Sequence, residues 1–238
     1  MYRIILMVLR SLFHVIYYLG WLEYYGKDKN KNYKEAYKVC RRLVKRAIKT
    51  GRIKVNVIGA DNLPKEDGFL VTPNHQGLFD ILVCVEGCDR PFNIVSKKEV
   101  ENVILIKQVL KAFDGFSMDR NNLRQSMTIM KQVEEQLEAG RNFVIFPEGT
   151  RSKNGNNLLE FKGGTFKTAV KAKVPIVPCC MIDSYKAFDN KSIKRITVTV
   201  VYLEPLYYEE YKNMSTIEIA QEVQTRIQTR INNYTNIS

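Results

Sequence analysis

Histidine is nearly missing from this chain: His14 and His75 are the only two among 238 residues. His14 lies inside an apolar stretch, so any imidazole chemistry falls to His75. Metal-site spacing is missing too. The five cysteines, Cys40, Cys84, Cys88, Cys179 and Cys180, contain no C-x-x-C and have no histidine partners at zinc spacing. That argues against a structural metal or a disulfide framework, and for buried thiols in a reducing compartment. No low-complexity tract, repeat or Pro/Gly-rich linker divides the chain, so the length fits one domain with a short appendage. The expected division is an N-terminal membrane-associated helix pair over residues 1–50 and an α/β domain over 51–238. No cleavable leader is read, because Arg10 interrupts the opening apolar run and no stretch of small residues follows it.

Acidic residues are few where basic ones are dense. Between Lys27 and Lys54 stand twelve Lys and Arg against Asp28 and Glu35, a local excess of +10 in a chain whose total is +12. Ala36, Cys40, Leu43, Val44 and Ala47 recur there at helical spacing, with Lys34, Lys38, Arg41, Arg42, Lys45, Arg46 and Lys49 around the rest. The pattern predicts an amphipathic basic helix. Ahead of it, residues 4–25 are rich in Leu, Ile, Tyr and Trp21, with Arg3, Arg10 and His14 on one side of a helix. The apolar run after Arg10 is short for a bilayer core of about 30 Å, so an interfacial pair is expected: apolar face in lipid, basic helix against anionic headgroups. A spanning helix with snorkelling arginines, a merely solvated charged face and a nucleic-acid phosphate contact are the competing readings. Absence of helix-turn-helix, zinc-finger or RNP signatures weighs against nucleic acid.

His75 lies in Asn74-His75-Gln76-Gly77-Leu78-Phe79-Asp80. A carboxylate on one ring nitrogen fixes the tautomer and raises the basicity of the other. On one continuous helix, residues five apart point roughly 140° from each other, so His75 and Asp80 meet only across a turn. Pro73 and Gly77 supply one, which places His75 on a loop between a strand and a helix. A second string, Phe146-Pro147-Glu148-Gly149-Thr150-Arg151-Ser152, adds a carboxylate and an arginine able to fork onto a phosphate. Together the strings suit acyl transfer onto a phosphate-bearing alcohol.

The expected strands are Ile53 to Ile58, Phe69 to Thr72, Phe92 to Ser96, Gly115 to Met118, Asn142 to Phe146, Ile176 to Met181 and Ile196 to Leu203. Helices are expected over Leu78 to Glu86, Glu99 to Ala112, Asn122 to Ala139, Thr165 to Ala172 and Thr216 to Asn232, the last opened by Ser215-x-x-Glu218. This alternation predicts an α/β fold with a mostly parallel sheet flanked by helices. His75, Asp119 with Arg120, and Glu148 with Arg151 then follow the carboxyl ends of three strands, the edge where such sheets bind ligands. Glu148 is read either as a partner for an arginine or as a substrate contact. Lys97 or Lys98, and Lys162, are weaker candidates.

These blocks resemble the glycerophosphate acyltransferases, most closely the bacterial 1-acylglycerol-3-phosphate acyltransferases. The Asn-His-x4-Asp block is Asn74 to Asp80, the second resembles Phe113 to Arg120, the third is Phe146 to Ser152, and the fourth, Val-Pro-Ile-Val-Pro, is Val174 to Pro178. The resemblance covers roughly residues 55 to 205. It implies that His75 is the general base, that Asp80 orients it, and that Glu148, Arg151, Arg120, Gly149, Thr150 and Lys97 hold the substrate. No metal or cofactor is implied beyond acyl-CoA or acyl carrier protein as donor, and no protein nucleophile is required, since a thioester is already activated. The implied partners are lysophosphatidic acid and membrane phospholipids, with no nucleic acid. The implied location is peripheral or monotopic, on the cytoplasmic face of the cell membrane. Another lysophospholipid or glycolipid acceptor, or a non-catalytic membrane- or nucleic-acid-binding module, are the alternatives.

Overall fold

A computed structural model describes residues 2–27, 32–119 and 121–235 of the protein. Arg120, and with it Asp28, Lys29 and Lys31 of the basic segment, lie outside the described residues. The chain opens with two helices, α1 (Tyr2–Lys27) and α2 (Tyr33–Thr50), the second capped by Asn32, whose side chain accepts from the N–H groups of Lys34 and Glu35. Strands and helices then alternate: β1 (Ile53–Ile58), β2 (Leu70–Pro73), α3 (Asp80–Gly87), β3 (Phe92–Lys97), α4 (Ile106–Phe113), β4 (Phe116–Met118), α5 (Leu123–Glu138), β5 (Asn142–Val144), α6 (Lys167–Ala172), β6 (Ile176–Ile182), β7 (Ile196–Tyr202), α7 (Tyr208–Tyr211) and α8 (Thr216–Thr235).

The seven strands form one sheet in the order β1-β7-β6-β2-β5-β3-β4. Every pairing is parallel except β6 with β7, where Cys179 lies opposite Tyr202. The expected mostly parallel sheet is therefore present, with the reversal between β6 and β7. Central strands β2 and β6 read as continuous apolar runs because both of their faces are covered, and every residue of each is buried. Along β6 the side chains alternate between two cores. Val177, Cys179 and Met181 pack with α2 and α3, while Ile176, Cys180 and Ile182 pack with α5, α6 and α8.

All five cysteines are free thiols inside these cores. Burial pushes Cys40 and Cys180 up to about 12 and Cys88 up to about 11, so they act as small hydrophobes.

The basic helix α2 is part of the packing. Its apolar stripe, Ala36, Tyr37 and Cys40, joins the core of β2 and α3, and the Tyr37 hydroxyl donates to the Cys88 carbonyl at 3.0 Å. Arg41 is not free for a lipid surface: it donates to the carbonyls of Val85 and Glu86 at the end of α3, at 3.1 Å each. Lys34, Lys38, Arg42, Lys45 and Lys49 remain exposed.

Helix α1 buries Arg3, Met7, Ser11 and Leu22 and turns Ile5, Leu9, Phe13, Ile16, Tyr17, Trp21 and Tyr24 outward. By length and composition it is apolar enough to cross a membrane. Arg10 and His14 are exposed, whereas Arg3 is fully buried, and its guanidinium donates to the carbonyls of Gly51, Ala187, Ser192 and Lys194 at 2.5, 3.0, 3.0 and 2.8 Å.

One expected helix is cut short. In place of Glu99 to Ala112, a single 3-10 turn covers Lys98–Val100 and α4 starts only at Ile106. Leu105 between them takes φ +79 with ψ −48, a positive-φ conformation that breaks the helical path.

Candidate active site

Strands β6, β2 and β5 are consecutive, parallel neighbours. Their carboxyl ends therefore deliver three adjacent loops: Asp183 to Ala187, Asn74 to Phe79, and Phe146 to Ser152. His75 lies on the middle one.

The turn from His75 to Asp80 closes as the spacing requires. His75 Nδ1 lies 2.7 Å from Asp80 Oδ2, with the ring 21% exposed and the carboxylate fully buried. The same oxygen accepts the backbone N–H groups of Gln76 at 2.6 Å and Gly77 at 2.9 Å. With Oδ2 an acceptor to all of these, the shared proton belongs on Nδ1, and Nε2 keeps its lone pair. Asp80 is also the first residue of α3, where the positive end of the helix favours a carboxylate.

Neighbouring loops hold this pair from both sides. The His75 ring stacks on Phe146, centroids 4.2 Å apart at 27°. The His75 N–H donates to Glu148 Oε1 at 2.7 Å, and the Ser152 N–H donates to the His75 carbonyl at 2.8 Å. On the β6 side, Asn74 is pinned to Met181 by two bonds, Oδ1 accepting from its N–H at 2.7 Å and Nδ2 donating to its carbonyl at 3.1 Å.

Glu148 is 2% exposed, and its second oxygen accepts the Leu159 N–H at 3.1 Å. Of the two roles offered from sequence, pairing with an arginine is not seen among the described residues. The carboxylate instead ties two backbone segments together. Burial raises its pKa, with the two backbone N–H groups pulling the other way.

Arg151 is half-buried and makes no hydrogen bond or ion pair among the described residues, so its guanidinium is available to an anion. Beside it, the buried Ser152 Oγ also has no partner among the described residues. Gly149 takes φ +69, and the Lys162 side chain lies over it: a Cβ there would sit 3.2 Å from Nζ. Thr150 is exposed. Lys162, a weaker candidate, is thus the lysine brought against this loop. Lys97 ends β3, two strands and about 10 Å from β2 along the sheet. It is exposed and paired with Glu99 at 2.5 Å, so the structure does not bring it to His75. Asp119 lies one strand further out and is engaged by Lys98 at 3.3 Å.

Sequence reasoning missed Asn156 and Ser184. Gln76 Nε2 donates to Asn156 Oδ1 at 2.8 Å, the Ser184 N–H donates to Gln76 Oε1 at 2.8 Å, and the Ser184 hydroxyl donates to Asp80 Oδ1. Neither residue lies in a string that signals chemistry.

The Acyltransferase family model matches residues 54–182, more than half of the chain, so the chain belongs to that family. It is similar to the probable 1-acyl-sn-glycerol-3-phosphate acyltransferase of Mycoplasma pneumoniae, 31% identical over 160 residues that cover 65% of this chain and 59% of that protein. It is also similar to the 1-acyl-sn-glycerol-3-phosphate acyltransferase of Helicobacter pylori, 33% identical over 153 residues, 59% of this chain and 64% of that protein. The mouse alpha enzyme of the same name is 30% identical over 196 residues, 79% of this chain and 68% of that one. The matched region spans about three fifths of the length of the two bacterial relatives. In fold the chain is similar to the crystal structure of the 1-acyl-sn-glycerophosphate (LPA) acyltransferase PlsC from Thermotoga maritima, with a TM-score of 0.79, 24% identity, and 98% and 96% of the two chains covered.

Proposed function

We propose that this protein is a 1-acyl-sn-glycerol-3-phosphate O-acyltransferase, which moves a fatty acyl group from a thioester to the free hydroxyl of lysophosphatidic acid. The observation that carries this reading is the His75–Asp80 pair, with Nε2 unencumbered, on a loop bonded directly to the loop of Arg151. Nε2 takes the acceptor hydroxyl proton as the oxygen attacks the thioester carbonyl. The tetrahedral adduct then collapses, the C–S bond breaks, and the departing thiolate recovers a proton from the imidazolium. Arg151, with Lys162 over Gly149 of the same loop, supplies the donors for the acceptor's phosphate. Gly149 and Thr150 shape that loop. Lys97 lies two strands away, paired with Glu99.

The enzyme works at a membrane surface as a monotopic protein, with α1 as its anchor and the exposed cations of α2 meeting anionic headgroups. Supporting this, α1 is fastened along its length. Arg3 is bonded to Gly51 and Ala187, Ser11 Oγ lies 3.0 Å from Thr50 Oγ1, and Gly26 lies against Lys111 of α4. Leaving the domain to cross a bilayer would break all of these. The cytoplasmic face, acyl-CoA or acyl carrier protein as donor, and catalysis without a metal belong to the same reading. The test is an assay of purified protein with labelled acyl thioester and lysophosphatidic acid. No labelled phosphatidic acid, or equal activity of His75→Ala, would sink it.

A further inference from the structure

We propose that the turn Ser184–Ala187 is a brace that sets the His75–Asp80 pair and fastens it to the N-terminal helix. Ser184 is the positioning residue for Asp80, and Arg3 is the positioning residue for the turn. The proposal deepens the acyl-transfer reading, since it concerns the same pair.

Asp80 is fully buried, and its two oxygens face different partners. Oδ2 is shared by His75 and the backbone N–H groups of Gln76 and Gly77. Oδ1 has one donor among the described residues, the Ser184 hydroxyl. Without it the carboxylate keeps its loop contacts through Oδ2, but the buried Oδ1 is left without a donor, which weakens the hold on the whole group.

The turn is itself over-determined on the site side. Its first N–H, from Ser184, is taken by Gln76. Asp183, which starts it at φ +64, is bonded to Asn156 through both its N–H and its side chain, at 2.9 and 3.1 Å. Gly77 packs against the turn, where a Cβ would sit in van der Waals contact with Tyr185 Cα at 3.4 Å. Phe79 meets Phe188 edge to face at 5.1 Å.

At its other end the turn is held by α1. Arg3 Nε donates to the Ala187 carbonyl, while the two terminal nitrogens reach Gly51, Ser192 and Lys194. One buried guanidinium thus joins α1, the end of α2, the turn and the approach to β7. Membrane helix and dyad are separated by a single turn of four residues, bonded at both ends.

The experiment uses the full chain labelled with 15N at the histidine rings. There are two histidines, and His14 is exposed on α1, so His14→Gln assigns the His75 ring signals outright. The parent should show one His75 tautomer with a slowly exchanging Nδ1 proton. Ser184→Ala should mix the tautomers, speed exchange of that proton, and lower kcat about 10- to 100-fold at little-changed KM, the scale usual for groups that orient a working histidine. Ser184→Thr, which keeps the hydroxyl, should restore the single tautomer. Arg3→Gln should move the His75 signals in the same direction as Ser184→Ala. If Arg3→Gln does not fold, Arg3→Lys, which reaches fewer carbonyls, takes its place. An unchanged His75 ring spectrum in either the Ser184 or the Arg3 variant overturns the brace. The spectrum is read without substrate, so a parent protein that transfers no acyl group would remove the functional reading and leave the brace to be decided by the rings.

Discussion

Glu148 accepts the backbone N–H of His75 at 2.7 Å, so the loop that carries Arg151 also holds the loop that carries His75. The Ser152 N–H returns the contact to the His75 carbonyl, and Phe146 stacks under the ring. Two strings seventy residues apart in the chain are one rigid unit in space, and the chemistry proposed for them depends on that rigidity.

His75→Ala should lower turnover roughly 10²- to 10⁴-fold, because it removes the base and leaves the surrounding bonds in place. Asp80→Asn should lose about as much or somewhat less, since an amide at that site favours the wrong ring tautomer. Initial rates with lysophosphatidic acid check both. Vesicle binding, which the dyad does not touch, should stay at the parent level.

Arg151→Ala should chiefly raise KM for a phosphate-bearing acceptor, and Arg151→Lys should rescue it in part, because lysine lacks the planar fork. A matched acceptor without phosphate is the control. Equal losses on both acceptors would remove the clamp.

Burial raises the Glu148 carboxyl above 4.5. The folded protein therefore holds this proton to higher pH than the unfolded chain does. Ionisation costs stability as pH rises from 4.5 through the folded value. Glu148→Gln removes that dependence but leaves one of two backbone N–H groups without an acceptor, at about 1–3 kcal/mol. Urea unfolding of parent and variant across pH about 4 to 7 should show the parent's advantage shrinking as pH rises. A gap that widens with pH reverses the sign and rejects the account.

Phe13 is 84% exposed and Leu9 70%, on a face that no described residue covers. Leu9→Asp with Phe13→Asp should release the protein from vesicles without lowering its melting temperature. Charge reversal at Lys38, Arg42 and Lys45, all exposed, should weaken binding to anionic vesicles far more than to neutral ones, at about 1 kcal/mol per basic residue before screening. Unchanged flotation of both variants with liposomes would place the grip elsewhere. Deleting residues 1–50 is the poorer experiment, since Ala36, Tyr37 and Cys40 belong to the core.

Local pattern sufficed for much of the fold. Apolar and polar residues alternating as Ile-Lys-Val-Asn-Val mark β1 at Ile53–Ile58, the observed bounds, and every other expected strand overlaps an observed one. The dyad was legible because its logic is local: five residues, a proline, a glycine and a helix start leave one geometry in which imidazole and carboxylate meet. The break at Leu105 was not, since amphipathic spacing runs through it without a glycine or proline to mark the change.

By itself, then, the sequence determined the alternation of strands and helices, the basic and apolar segments, and the pairing of His75 with Asp80. Strand order was decided by tertiary structure, because periodicity reports which face a residue shows and never which strand lies beside it. Placing β2 between β6 and β5 is what brings Glu148 to the His75 amide and Ser184 to Asp80, and what leaves Lys97 two strands away with Glu99 while Lys162 closes over Gly149. The same packing turned Arg3 inward, away from Arg10 and His14 with which it shares a helix side, because four backbone carbonyls lay within its reach.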